Sequence, residues 1–215
     1  MTHEFDMPQA LSAGIAGRAG AWEFVRAFAA HWTTPLGEGD GWDEAELVAT
    51  EERLGLRLPV ALREAYKLLG RRGDLTSNHD VLLAPAELYV DASREGLVFR
   101  HENRGAASWG VLLADLPKED PAVFIRADLA DKTAEKWESR LERLSPAFVE
   151  FVLSESLHAP EGLRDFLSDL DEDGIDVLER NCTRLPFPGY PLGEEESGVR
   201  SERGGRIAGR RRGAL

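Results

Sequence analysis

The sequence predicts an α+β fold: a small, mostly antiparallel sheet packed by flanking helices in a single domain. Three observations carry this. Residues 47–70 read LVATEERLGLRLPVALREAYKLLG, a pair of short helices with marked ends. Between residues 97 and 126 lie three short runs of strand character joined by short links, the pattern of an antiparallel meander. Residues 145–157 then form a helix that is apolar nearly all round and so has to be buried against the sheet.

The helical pair is the best-marked element. Asp43 is placed to N-cap its first helix, with Glu46 three residues on to close a capping box and Trp42 and Leu47 at the spacing of a hydrophobic staple. Gly55 is placed to end that helix. Pro59 suits the first turn of the next, and Leu62, Ala65, Tyr66 and Leu69 follow at helical spacing up to Gly70. Upstream, residues 1–18 are small and polar with little periodicity, which predicts a disordered or loosely ordered lead. Gly14, Gly17 and Gly20 read as a small-residue segment. Trp22, Val25, Phe28, Ala29 and Trp32 predict an amphipathic helix over 19–32, whose two tryptophans suggest a core face, with a binding stripe as the alternative. TPLGEGDG at 34–41 is a loop.

Downstream, Val81-Leu82-Leu83 is a short strand and Pro85 opens a helical turn through Leu88. The three runs of the meander are 97–101, 108–113 and 122–126. Alternation along the first puts Leu97, Phe99 and His101 on one face. Glu102 to Gly105 is a turn, and DLPKEDP at 115–121 is an irregular acidic connector. Ser145 is a natural N-cap with Pro146 at N1. Residues 163–170 and 175–180 suggest further short helices. From 185 onward LPFPGYPL and a Gly/Arg-rich run are too poor in apolar residues for an argued strand. The folded domain is therefore expected over 19–184, with a largely disordered tail at 185–215.

Glu51-x-x-Leu54-Gly55-x-x-Leu58-Pro59, followed by Leu62, Tyr66 and a closing Gly70, resembles the opening helices of the SUKH superfamily. Glu102-Asn103-x-Gly105, then Trp109-Gly110-Val111, then Asp120-Pro121-x-Val123-Phe124, is similar to the sheet region of its actinobacterial-type members. Trp137 and Leu144-Ser145 follow in family order. The resemblance runs over Leu47–Leu157, about half the chain, and Arg104 stands where the motif is associated with Gln. Family members often continue past residue 192 into a closing strand pair; this chain instead has an Arg-rich run, which reads either as loss of those strands or as an abnormal reading frame near the end. The superfamily includes a fungal regulator of cell-wall assembly and many bacterial immunity proteins. The resemblance thus implies a protein-binding module, foremost a cytoplasmic immunity protein that blocks a nuclease or deaminase toxin domain. A regulatory or scaffold role without a toxin partner is the alternative, and an enzyme of unknown type a third class.

Charge is unevenly spread. The tail from Ser197 onward holds six arginines against Glu202, a formal +5, which leaves −18 on the rest of a chain whose net charge is −13. An acidic body repels nucleic acid and favours a basic protein partner. The tail has no aromatic residue on which bases could stack, so specific nucleic-acid binding is not expected. Within the acidic body Asp115, Glu119 and Asp120 of the connector, with Trp109 as an aromatic anchor, are the candidate partner-binding residues; core and ordinary surface roles are the alternatives for each. Cys182 is the only cysteine, which excludes an internal disulfide and every Cys-rich zinc pattern. The N-terminus lacks the basic start of a secretory signal and no apolar run approaches a membrane span, so a cytoplasmic protein is expected.

Catalytic patterns are sought without success. The histidines at 3, 31, 79, 101 and 158 fall in no metal-binding spacing. His101 and Glu102 are adjacent, and adjacent strand residues point to opposite faces. No local pattern pairs Cys182 with His158. Asp169-x-Asp171-x-Asp173-Gly174 begins like a calcium loop, but Arg180 stands where the pattern needs Glu. Neither catalysis, a metal nor a cofactor is therefore expected.

Overall fold

Alternating apolar residues along consecutive strands close an antiparallel sheet, and one apolar helix covers its inner face. The computed structural model describes residues 5–159, 177, 180 and 185–187. The chain divides into two compact units, 1–163 and 164–215, and the architecture below is that of the first. The expected boundary at 184/185, the two short helices around 163–180, the calcium-like loop, Cys182 and the arginine tail fall largely or wholly outside the described residues.

In chain order the elements are α1 (Met7–Ala16), α2 (Arg18–Trp32), α3 (Glu44–Leu54), α4 (Val60–Leu69), α5 (Gly73–Thr76), β1 (Val81–Leu82), β2 (Tyr89–Val90), β3 (Gly96–His101), β4 (Ala107–Leu112), β5 (Val123–Ala127), β6 (Glu138–Leu141) and α6 (Leu144–Leu157). Short 3-10 turns occupy Pro85–Glu87 and Leu113–Asp115. The sheet runs β1-β3-β4-β5-β6, with β2 also paired to β3, and every pairing is antiparallel. The α+β class and the meander are as the sequence predicts; the short edge strands β2 and β6 are additions. Among the described residues no helix is long and apolar enough to cross a membrane.

The helical pair forms for the reasons legible in its sequence. Asp43 and Glu46 close the capping box, and Gly55 ends α3 at φ 65°, the left-handed conformation that glycine adopts without steric cost. Glu51, 5% exposed, holds the linker: its Oε1 accepts the N–H of Leu58 at 2.9 Å, and Arg63 and Arg57 pair with the carboxylate. Pro59 precedes the first turn of α4 rather than lying inside it. The buried Tyr66 hydroxyl donates to the Leu83 carbonyl at 2.7 Å, tying α4 to the segment after β1.

Three expectations are corrected. The lead, expected to be disordered or loosely ordered, is ordered over its described residues 5–18. Residues 7–16 form α1, which Asp6 caps by accepting the N–H of Gln9, and which packs on α2 and α6. Its glycine spacing has a steric purpose: a Cβ at Gly14 would lie 2.8 Å from Phe24 Cβ, and one at Gly20 would lie 2.3 Å from the Ala13 carbonyl oxygen. The α2 face also turns out differently. Ala21, Phe24, Val25, Phe28 and Ala29 are its buried set, while Trp32 is 47% exposed and Trp22 is half-buried, its indole N–H donating to Glu64. Finally, Ser145 is not the cap of α6. It sits within the first turn, and Asp120 of the connector accepts both its N–H (2.8 Å) and its hydroxyl (2.6 Å).

On the outer face the segment after β5 folds back over the sheet. The Trp137 ring lies against Gly96 of β3 and Gly110 of β4, and its indole N–H donates to Asp91 at 3.3 Å. Asp91 also accepts the N–H groups of Glu95 and Gly96 and pairs with Arg126. Burial raises the Asp91 pKa, but the N–H groups of Gly96 and Glu95, the Ser93 hydroxyl and the Trp137 indole outweigh it and leave the carboxyl below the usual range. Glu135 is pulled down to about 2, chiefly by Lys132, and also accepts the N–H of Leu129 and pairs with Arg126.

A Cβ at Gly110 would lie 2.7 Å from the Trp137 ring and 2.8 Å from the Leu97 carbonyl oxygen. We expect Gly110→Ala to destabilise the protein by about 1–3 kcal/mol, as overpacking does. Urea denaturation followed by circular dichroism measures this, and an unchanged midpoint would refute the close packing.

Candidate functional site

The four sequence-derived candidates do not form one exposed cluster. Trp109 is 2% exposed and lies on the inner face of β4, where its ring meets Phe151 of α6 edge-on. It is core, not an aromatic anchor for a partner. Asp120 is occupied in capping α6. Asp115 is at the end of a 3-10 turn and pairs with Lys118. Glu119 is the most exposed of the four, with its side chain 73% exposed and paired to Arg18, while its backbone carbonyl accepts the N–H of Ala61 at the start of α4. The connector is thus a strut between α4 and α6 rather than a projecting loop.

A polar junction that sequence reasoning missed lies where β3 meets the end of α6. Its origin is a bulge. Val98 pairs with Gly110 and Arg100 with Trp109, so Phe99 is an extra residue opposite one partner step. The expected alternation of Leu97, Phe99 and His101 is broken there. Phe99 packs on Phe148 and Phe151, Arg100 also turns inward, and His101 falls on the outer face beside Ser108 and Tyr89.

Arg100 is 1% exposed. Its guanidinium lies over the Phe151 ring at 4.1 Å, and its Nη2 donates to Glu155 of α6 and to Asp80 (3.2 Å). Glu155, fully buried, also accepts the N–H groups of His79 and Asp80, so it draws the loop before β1 onto the helix. Asp80 in turn accepts the N–H of Asn103 at 3.3 Å. At the solvent side His79 stacks on His158 with ring centroids 4.0 Å apart. The Asn103 amide lies 2.9 Å from the His79 Nδ1. Glu102 accepts the N–H groups of Arg104 and Ala106 through Oε2, closing the β3–β4 turn. Burial raises the Glu102 pKa, but those two N–H groups outweigh it and leave the carboxyl below its ordinary value. The signal for this junction was present in the sequence as two misfits: Arg100 within LVFRH, and Glu155, the second of two glutamates in a largely apolar helix.

On the outer face His101 Nδ1 lies 3.0 Å from the Ser108 hydroxyl, and His101 Nε2 lies 3.3 Å from the Tyr89 hydroxyl. Burial lowers the His101 pKa. His101 and Glu102 do not form a pair, in line with their adjacent positions. His101 and Ser108 are cross-strand partners, so regular sheet pairing already places them in contact. Two open surface hollows lie elsewhere, one beside Trp137 and Leu112, the other between α1 and α2.

No protein-family model, curated protein or solved structure matches the chain.

Breaking a buried ion pair from one side leaves an uncompensated charge. Glu155→Ala strands the Arg100 guanidinium and the N–H groups of His79 and Asp80, and should cost about 3–5 kcal/mol in urea denaturation. A loss under about 1 kcal/mol, the scale of an exposed pair, would mean that water already reaches the junction.

Proposed function

We propose that the chain is a non-catalytic protein-binding module of the SUKH type, acting as a cytoplasmic immunity protein that binds and blocks a basic toxin domain. The observation that carries this reading is the −18 charge outside the arginine tail. The order of elements between Leu47 and Leu157, a capped helical pair, a meander and a buried helix, supports the resemblance drawn from the motifs. Many of the body's cations are committed to internal pairs: Arg63 and Lys67 with Glu44, Arg71 with Glu46, Arg126 with Asp91 and Glu135.

The structure narrows the surface to be tested. Trp109 is buried in the core, and both carboxylate oxygens of Asp120 are taken up by Ser145. Asp115 and Glu119 remain, Asp115 paired with Lys118 and Glu119 with Arg18, which also pairs with Glu64. Charge at such a surface mainly speeds encounter.

The test is capture of the partner from the native cytoplasm, followed by association kinetics against salt. A basic toxin domain should associate more slowly as salt rises, with dissociation changing less. The Asp115→Asn/Glu119→Gln double variant should lower the on-rate and flatten that salt dependence without unfolding the protein. An acidic partner, or one that is no toxin, would overturn the immunity reading and favour a scaffold role.

The contact between Ser108 and His101 is the one observation that favours an enzyme, a serine hydrolase. Several features oppose it. The far nitrogen of His101 faces a tyrosine hydroxyl rather than a carboxylate, and burial makes the imidazole a weaker base. Ser108 also lies within regular strand β4, not on a strained turn that presents a nucleophile. Treatment with a fluorophosphonate probe should leave Ser108 unlabelled. Labelling that disappears in Ser108→Ala would replace the binding-module reading with a hydrolase.

A further inference from the structure

We propose that His79, Asp80 and Glu102 form a binding site for one divalent transition-metal ion of the zinc class. The inference is independent of the binding-module reading and rests on the polar junction alone. One ligand atom from each residue lies within 4.8 Å of the other two. His79 Nε2 and Asp80 Oδ1 are 4.0 Å apart. Bonds of about 2 Å to a tetrahedral ion set ligand atoms roughly 3.3 Å from one another, so binding needs a contraction of about 1.5 Å at most.

The three residues divide between a fixed and two adjustable ligands. Asp80 is 3% exposed and is held by Arg100, by the N–H of Asn103 and through its own N–H by Glu155. His79 has a side chain 40% exposed, and Glu102 sits at the surface turn between β3 and β4. Both can close onto the anchored Asp80 by side-chain rotation. The two N–H donors to Glu102 use Oε2, which leaves Oε1 to bind an ion.

Charge and donor chemistry favour a cation there. Two carboxylates this close repel one another unless a cation stands between them. Arg100 serves Asp80 from the buried side, whereas among the described residues no cation is in ion-pair contact with Glu102. Calcium and magnesium favour all-oxygen sites, while an imidazole beside carboxylates suits zinc and its neighbours. Asn103 Nδ2 lies 2.9 and 3.2 Å from the two ring nitrogens of His79 and restrains the ring's orientation. His158, stacked on His79, brings a second imidazole within reach of the fourth position. The site joins residues 23 positions apart through the pairing of β1 with β3, which is why no local spacing announces it.

The test uses the full chain, free of any histidine tag, equilibrated with Zn²⁺ and dialysed. Metal analysis should give one zinc per chain, and competition with a chromophoric chelator should give its affinity. His79→Ala and Glu102→Gln should each weaken binding roughly tenfold or more, and the double variant should abolish that equivalent. Glu102→Gln keeps an acceptor for both turn N–H groups, and circular dichroism confirms that each variant is folded. Zinc well short of one equivalent, a smaller loss in the variants, or displacement of zinc by millimolar Ca²⁺ would overturn the assignment.

Discussion

The inner layer depends on one buried cation. Arg100 leaves water only because Glu155 and Asp80 meet it from a helix and a loop, and because aromatic rings flank its guanidinium plane. A charge taken out of solvent without such partners would be prohibitively costly. The arrangement therefore constrains three separate segments at once. It sets the bulge in β3, fixes the rotation of α6 so that Glu155 faces the sheet, and pins the 79–80 loop to the end of that helix. An apolar cluster of the same volume would pack as densely, but many rotations of α6 would satisfy it. The ion cluster turns Glu155 toward Arg100 and the 79–80 loop.

The same logic explains why acids that look like a recognition surface in the sequence prove otherwise. Asp120 reaches across to the first turn of α6, and Glu119 lends its backbone carbonyl to the first turn of α4. Free N–H groups at helix starts attract carboxylates and carbonyls wherever the chain can supply them. In this fold the acidic connector is the nearest supplier. Acidic composition therefore speaks for the long-range field of the protein, while the hydrogen-bond partners decide which individual acids remain available.

What was legible follows from the range of the interactions involved. The ends of α3 and α4 are written in a few neighbouring residues, and the sequence reading located them nearly to the residue. The meander was legible because strand patterning and short links are also local. The bulge was not, since an extra residue becomes visible only against a partner strand, and with it went the facing of His101 and the inward turn of Arg100. Helix α1 was missed for a related reason. Its small residues carry almost no periodicity, and its stability comes from close approach to α2. Trp109 stayed open between partner anchor and core because an aromatic residue near an acidic stretch has the same appearance in sequence whether it faces a partner or a core. Only the facing of β4 decides it.

Helix α6 carries a consequence for synthesis. It is the last element of the described body, yet it supplies the apolar floor for α1, α2, α4 and the inner sheet face. A nascent chain that has emerged only as far as β6 holds its aromatic inner face with nothing to cover it, and Arg100 with no glutamate to meet. Productive collapse has to wait until residue 157 clears the ribosome, which at the usual rate of about 5–20 residues per second is a matter of seconds. During that interval the meander is an uncovered sheet in a crowded cell. A holdase that shields apolar strands would find its opportunity there.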